Sequence, residues 1–204
     1  MFGRDVTSFV RGELPDAPAR VLEVGAGGGE LALALQGDGY EVVAIDPASE
    51  GSAVLPVALS DFEAPAASFD AAVAVLSLHH VEPLAASCHR LGRLVRRGGR
   101  LVVDEFDVER FDERAAAWWL ERRRAAHEHE PQTPSELVAG LREHIHPVPV
   151  VRGALGDDFE LGRTKHGPYL HRWDLPDGLL DDELRLIEAG GLPATGVRFV
   201  GRRR

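Results

Sequence analysis

The sequence predicts an α/β fold in which a doubly wound, mainly parallel sheet carries helices on both faces, and three observations support this. Short apolar runs at Val21–Val24, Val42–Ile45, Ala72–Leu76 and Leu101–Val103 lack the strict alternation of a half-exposed strand, as expected for strands covered on both faces. Stretches with helical spacing of apolar residues separate these runs, the order that builds parallel crossovers. The turn after the first run, Gly25-Ala26-Gly27-Gly28-Gly29, is dense in glycine, as needed where a chain reverses sharply and a ligand must approach the backbone.

Each element has its own signal. Asp5 to Leu14 reads as one amphipathic helix ended by Pro15 and lying against the sheet near the ligand. The first strand leads through the glycine turn into a helix from Glu30 to Leu35, broken by Gly37-Asp38-Gly39. Glu41 to Ile45 is a second strand with Asp46-Pro47 at its carboxyl end, and Val54 to Leu59 a third short strand followed by Ser60-Asp61-Phe62. Ser68-Phe69-Asp70 enters the fourth strand and Leu78-His79-His80-Val81 leaves it; a helix over Leu84–Val95 and an Arg96-Arg97-Gly98-Gly99 turn lead to the fifth. Arg110 to Arg124 reads as a helix carrying Trp118 and Trp119, interrupted at His127–Pro131. Thr133, Pro134 and Glu136 then form a capping box for a helix reaching about His144. Phe159–Thr164 and Tyr169–Trp173 have mixed strand character, Leu179–Gly190 is helical with a Gly190-Gly191 stop, and Ala194–Gly201 alternates as a final strand.

With 204 residues, 44% hydrophobic and 27% charged, the chain suits one domain with a sizeable core. No stretch is long and apolar enough to span a bilayer, and Met1–Asp5 lacks the features of a secretory signal, so a cytoplasmic location is expected. Cys88 is the only cysteine, which rules out an intrachain disulfide, and its helical spacing with Leu84 and Leu91 makes it a packed apolar residue. A net charge of −10 weighs against a nucleic-acid partner. The basic runs Arg122–Arg124 and Arg202–Arg204 read as solvated surface.

The spacing of the glycines separates two enzyme classes. A dinucleotide fingerprint starting at Gly25 requires glycine or alanine at position 30, where the chain has Glu30. What remains, Glu23-x-Gly25-x-Gly27-x-Gly29, resembles the first motif of the class I S-adenosylmethionine-dependent methyltransferases. The Asp46 strand end, the Phe69-Asp70 entry with its Leu78-His79-His80-Val81 exit, and the glycine turn into the fifth strand follow in that family's order across positions 21 to 106. The resemblance thins out beyond them.

The resemblance implies a seven-stranded sheet with an antiparallel last strand, and S-adenosylmethionine as cofactor. It assigns cofactor contacts to Glu23, Gly25, Ala26, Gly27 and Gly29, and the ribose hydroxyls to Asp46, with Pro47 beside it. It places Asp61 and Phe62 beside the adenine and Leu76 at the end of the fourth strand. For Asp46 the alternative is a helix N-cap; for Asp61 and Phe62 it is an exposed turn acid beside a core aromatic.

The organisation expected is one domain over 1–204. An N-terminal helix lies in 1–19 and the cofactor core in 20–106. A helical lid inserted after the fifth strand occupies 107–149, and the C-terminal strands and helix fill 150–204. Adjacent tryptophans point about 100° apart on a helix, so only one of Trp118 and Trp119 is expected to be fully buried. One of them either walls an acceptor pocket or packs in the core, and the segment itself closes the pocket or builds a homodimer interface.

Methyl transfer is an in-line displacement for which positioning is the main requirement, and a neutral oxygen or nitrogen acceptor must also lose a proton. His79 and His80 are the candidate catalytic residues, and in extended backbone at most one of them enters the pocket. The His127/His129 and His144/His146 pairs lack a cysteine partner, so no metal site is expected from them. Asp104, Glu105 and Asp107 could hold Mg²⁺ or bond locally, and His166, Tyr169 and His171 could reach the pocket rim. The chain lacks the Asn/Asp-Pro-Pro-Tyr element of enzymes that methylate exocyclic base nitrogens, and Cys88 lies on a helix away from the pocket. With the acidic charge, this leaves a small organic acceptor. The competing readings are an NAD-dependent oxidoreductase, weakened by Glu30 and by the lack of a Tyr-x-x-x-Lys pair, and a non-catalytic cofactor-binding protein on the same fold.

Overall fold

The computed structural model describes residues 5–126 and 133–204. The His127–Pro131 break and the first four residues lie outside the described residues. Strands β1 (Arg20–Val24), β2 (Glu41–Ile45), β3 (Phe69–Val75) and β4 (Val95–Phe106) are parallel neighbours in the order β2-β1-β3-β4. β7 (Gly196–Arg203) runs antiparallel to β4, and the short β5 (Phe159–Leu161) and β6 (Lys165–Gly167) both pair with its far edge. The seven-stranded sheet with an antiparallel last strand is therefore present.

Helices cover both faces of the sheet. On one face Val10 and Leu14 of the α1 region (Val6–Glu13) and Leu35 of α2 (Glu30–Gly37) pack on Val21, Val73 and Val102. On the other, Leu84, Cys88 and Leu91 of α3 (Leu84–Leu94) and Val148, Val151 and Leu155 of α6 (Val148–Gly156) pack on Leu22, Ala72 and Leu101. Cys88 is fully buried, and burial pushes its thiol up to about 12. Asp5 caps α1, its carboxylate accepting from the Ser8 amide at 2.8 Å. The Thr133–Glu136 capping box opens α5 (Pro134–His144) with both reciprocal bonds formed.

A second core sits above the end of β4. There α4 (Glu113–Ala126) and α5 enclose Phe106, Phe111, Trp118, Trp119, Tyr169 and Leu170. Trp119 is fully buried, as expected of one of the pair, while Trp118 keeps 7% exposure. Trp119 stacks on Trp173 at 4.3 Å and donates to its carbonyl at 2.7 Å, while the Arg122 guanidinium covers Trp118 at 4.1 Å. Neighbours on two sides of α4 thus cover both directions.

Two expectations are corrected. Val54–Leu59 is not a strand: Leu55 makes one parallel bridge to Ile45, and the next residue facing β2, Val57, turns its amide back to the Leu55 carbonyl at 2.8 Å. Tyr169–Trp173 is a 3₁₀ turn over Leu170–Arg172, because Glu183 of α7 (Leu180–Glu188) draws in its amides. α6, with its β-branched residues and glycines, was not legible as a helix and forms because it buries a stripe beside α3.

Candidate cofactor site

The glycine turn is built by three left-handed glycines, Gly25, Gly27 and Gly29, with φ of +70°, +52° and +85°. Gly25 and Ala26 both donate to the Ile45 carbonyl, at 2.8 and 3.1 Å, so the turn curls over the end of β2. A Cβ on Gly25 would stand 2.2 Å from the Ser77 Cβ, whereas one on Gly27 would meet nothing within 4 Å. The first glycine is thus needed for packing, and the second leaves open space above its backbone. The two glycines meet different demands.

Asp46 at the end of β2 faces this turn. One carboxylate oxygen accepts from the Gly27 amide at 2.9 Å and the other from Ala48 at 2.8 Å, closing an Asx turn with no helix behind it. A carboxylate has about four acceptor positions, so both oxygens keep capacity for ligand hydroxyls. Asp46, Pro47, Gly25, Leu76 and His80 line a cavity of 470 Å³, large enough for a nucleoside. A second cleft of 340 Å³ runs between Val6 and Thr7 of α1 and the turn from Gly25 to Gly28, with Val75 in its wall.

Glu23 is 3% exposed beneath the same turn, and one of its oxygens has no partner. Burial first, then the nearby Glu30, push its carboxyl up to about 7, against the lowering effect of the Ala32 amide. Its folded pKa exceeds the 4.5 of the free group, so its burial costs stability that grows as pH rises from 4.5 to about 7 and persists above. Glu23→Gln is therefore expected to stabilise the ligand-free protein at pH 8, by on the order of 1–3 kcal/mol, and to do little at pH 4. Thermal denaturation at the two pH values checks this; equal shifts at both would contradict it.

The exit of β3 is held from β4. Leu76, a non-glycine residue at φ +52°, donates its amide to the Asp104 carbonyl at 2.8 Å. Such a conformation costs about 1–3 kcal/mol and persists only where the surroundings fix it. Glu105, 2% exposed, accepts from the Ser77 and Leu78 amides at 3.0 and 2.7 Å and binds the His79 ring. His80 lines the cavity, and partial burial together with His79 holds its pKa below the ordinary histidine value. His146, just after α5, ties the inserted helices to this exit. Its amide donates to the His79 carbonyl at 2.9 Å, and its ring meets the Val81 carbonyl at 3.2 Å and the Glu82 carboxylate at 2.9 Å.

The structure therefore gathers Gly25, Asp46, Pro47, Leu76 and His80 around one cavity, with Ala26 and Gly27 in the adjoining cleft. Gly29 starts α2. His79 is 6% exposed and turned to Glu105, outside the cavity wall. Asp61 and Phe62 are not brought to the cavity either: Phe62 packs in the main core, 6.3 Å from Phe69, and Asp61 is exposed. Val57, Ala58 and Leu59 form the wall instead, since the Leu55 bridge ends the pairing and frees these residues to fold over the cavity. Of the remaining acids, Asp104 is taken up by Arg172 and Arg198, and Asp107 meets His166 at 3.1 Å. His171 is bonded to Glu183 at 2.7 Å and the His144 ring to the Gly140 carbonyl at 2.8 Å. The roles of Glu105 and His146, and Glu183 altogether, escaped the sequence reading of the site because they depend on residues 26, 65 and 12 positions away.

A glycine turn, a strand-end acid and a cavity at the carboxyl edge of a doubly wound sheet define an α/β protein built to bind a nucleoside-bearing cofactor. A methyltransferase-domain family matches residues 4–139, and the chain belongs to that family, the class I S-adenosylmethionine-dependent methyltransferases. An uncharacterized methyltransferase of Mycobacterium tuberculosis is 35% identical over a match covering 49% of each chain, so the chain spans about half the length of the curated relatives it matches. An S-adenosylmethionine-dependent methyltransferase from Mesorhizobium loti shares the fold with a TM-score of 0.60 at 17% identity, over 96% of this chain and 95% of the other. The 1,6-didemethyltoxoflavin-N1-methyltransferase of Burkholderia thailandensis, solved with bound 1,6-didemethyltoxoflavin and S-adenosylhomocysteine, has a TM-score of 0.53 at 18% identity, over 91% of this chain and 71% of its own. At these identities the structural likeness concerns the fold.

Proposed function

We propose that the chain moves a methyl group from S-adenosylmethionine to an oxygen or nitrogen of a small organic acceptor. The observation that carries this reading is Asp46, whose carboxylate holds the Gly27 amide and faces the 470 Å³ cavity at the same time. The residues fit the cofactor: the open space over Gly27 admits a ligand against backbone, and the unpartnered oxygen of Glu23 is an acceptor waiting for a donor. When bound, the cofactor supplies a methyl group already activated by a sulfonium.

The chain's own residues do the rest. Asp46 accepts the ribose hydroxyls, Leu76 and Val57 to Leu59 exclude water around the adenosine, and Glu105 fixes the loop that carries His80. Held neutral by its lowered pKa, His80 is suited to take the proton that the acceptor atom loses. The inserted helices, latched to the cavity rim through His146, act as the lid over the acceptor. Deeply acidic overall, and with no described helix long and apolar enough to cross a membrane, the chain fits a small diffusible acceptor better than a polyanion.

Asp46→Ala is expected to weaken S-adenosylhomocysteine binding by about 1.5–3 kcal/mol, the range for a hydrogen bond to a charged group. Calorimetry on the folded variant measures it. Unchanged affinity would overturn the assignment of the ribose site to Asp46.

A further inference from the structure

We propose that the acceptor carries a carboxylate, and that Arg172 is the residue that receives it. The proposal rests on the methyltransferase reading and names the acceptor class for that site. Val75, in the wall of the cleft beside the glycine turn, is paired across the sheet with Asp104. Paired residues project to the same face from strands about 4.8 Å apart, so the Asp104 carboxylate lies one strand beyond the cleft wall.

Two guanidinium groups converge on that single carboxylate. Arg198, 6% exposed, donates from Nε at 2.5 Å, and Arg172 donates to the other oxygen. Lys165, the register partner of Arg198 on β6, adds a third cation to this face. Glu105 and Glu183, which also act on the neighbouring Tyr169, are already engaged. The first holds two amides and His79; the second holds three amides and His171. Among the described residues, Asp104 is thus shared by two arginines.

Arg172 is an arginine with a buried donor unmet. Its Nε is buried and has no partner, while its side chain keeps 20% of its exposure. Its guanidinium lies 5.2 Å from the centre of the Tyr169 ring, and the turn that carries both residues is fixed by Glu183. A planar guanidinium held rigidly, with one donor unmet and its Asp104 partner one strand beyond the cleft wall, is suited to a planar carboxylate.

The test uses the protein saturated with S-adenosylhomocysteine and a pair of isosteric probes, benzoate and benzamide, followed by ligand-observed NMR. The expected result is that benzoate binds about tenfold more tightly than benzamide, the increment of a charge-assisted over a neutral hydrogen bond. Arg172→Met is expected to abolish that preference and Arg172→Lys to keep part of it. Equal binding of the two probes by the wild-type protein overturns the proposal, whether or not the variants fold. So does a benzoate preference unchanged in Arg172→Met. If S-adenosylhomocysteine itself fails to bind, it is the underlying methyltransferase reading that fails, and the two failures are distinguishable.

Discussion

Replacing Glu183 by alanine is expected to destabilise the protein by about 3–5 kcal/mol, the largest effect of any single side chain considered. Glu183 is fully buried and accepts from the Tyr169, Leu170 and His171 amides at 2.7, 2.9 and 2.9 Å and from the His171 ring at 2.7 Å. Truncation strands three donors in a site that water reaches poorly and releases the turn that carries Tyr169 and Arg172. The pH dependence has a definite sign. Burial raises the Glu183 pKa, but the His171 bond and the three amides outweigh it, so the group sits below its ordinary 4.5. Its stabilisation is present above pH 4.5 and is lost as pH falls through the depressed folded value. Denaturant titrations of wild type and Glu183→Ala should therefore differ most above pH 5 and converge in acid. A difference that grew in acid would contradict the assignment.

The second large effect separates two glycines of the same turn, Gly25 and Gly27. Gly25→Ala is expected to damage the fold itself, because its Cβ falls 2.2 Å from the Ser77 Cβ in a backbone at φ +70°. Overpacking of this kind costs about 1–3 kcal/mol and the left-handed conformation about 1–2 kcal/mol more. Gly27→Val meets no neighbour within 4 Å at its Cβ and is strained only by its φ of +52°. It is expected to melt within a few degrees of wild type yet lose S-adenosylhomocysteine binding, since its side chain fills the space over the backbone. Thermal melts paired with calorimetry resolve the two behaviours. A Gly27→Val protein that binds normally would mean that the turn does not cradle the cofactor.

Those parts of the structure that depend on local sequence were legible in it. The runs at Val21–Val24, Val42–Ile45, Ala72–Leu76 and Leu101–Val103 all lie within or at the ends of strands, because apolarity on both faces leaves no alternative to burial. The Thr133–Glu136 cap followed from side-chain chemistry three residues apart. The glycine turn and Asp46 meet at one cavity, as their motif implied. What differed was decided by distant partners or by a local turn of the backbone. Pairing of Val54–Leu59 stops after Leu55, where the Val57 amide turns back to the Leu55 carbonyl at 2.8 Å; Val57, Ala58 and Leu59 form the cavity wall and Phe62 packs in the core. Glu183 turned a strand-like Tyr169–Trp173 into a 3₁₀ turn. The C-terminal segment folds back on α4 and stacks Trp173 on Trp119, which no local pattern reveals.

The methyltransferase account rests on the cavity over Asp46 and the glycine turn being a site for S-adenosylmethionine rather than for a nicotinamide dinucleotide. Glu30 in place of a third fingerprint glycine separates the two in sequence. Titration of the wild-type protein by calorimetry with S-adenosylhomocysteine and, separately, with NAD tests the claim directly. The expected result is saturable one-to-one binding of S-adenosylhomocysteine and no heat from NAD. Saturable binding of NAD with none of S-adenosylhomocysteine would contradict it.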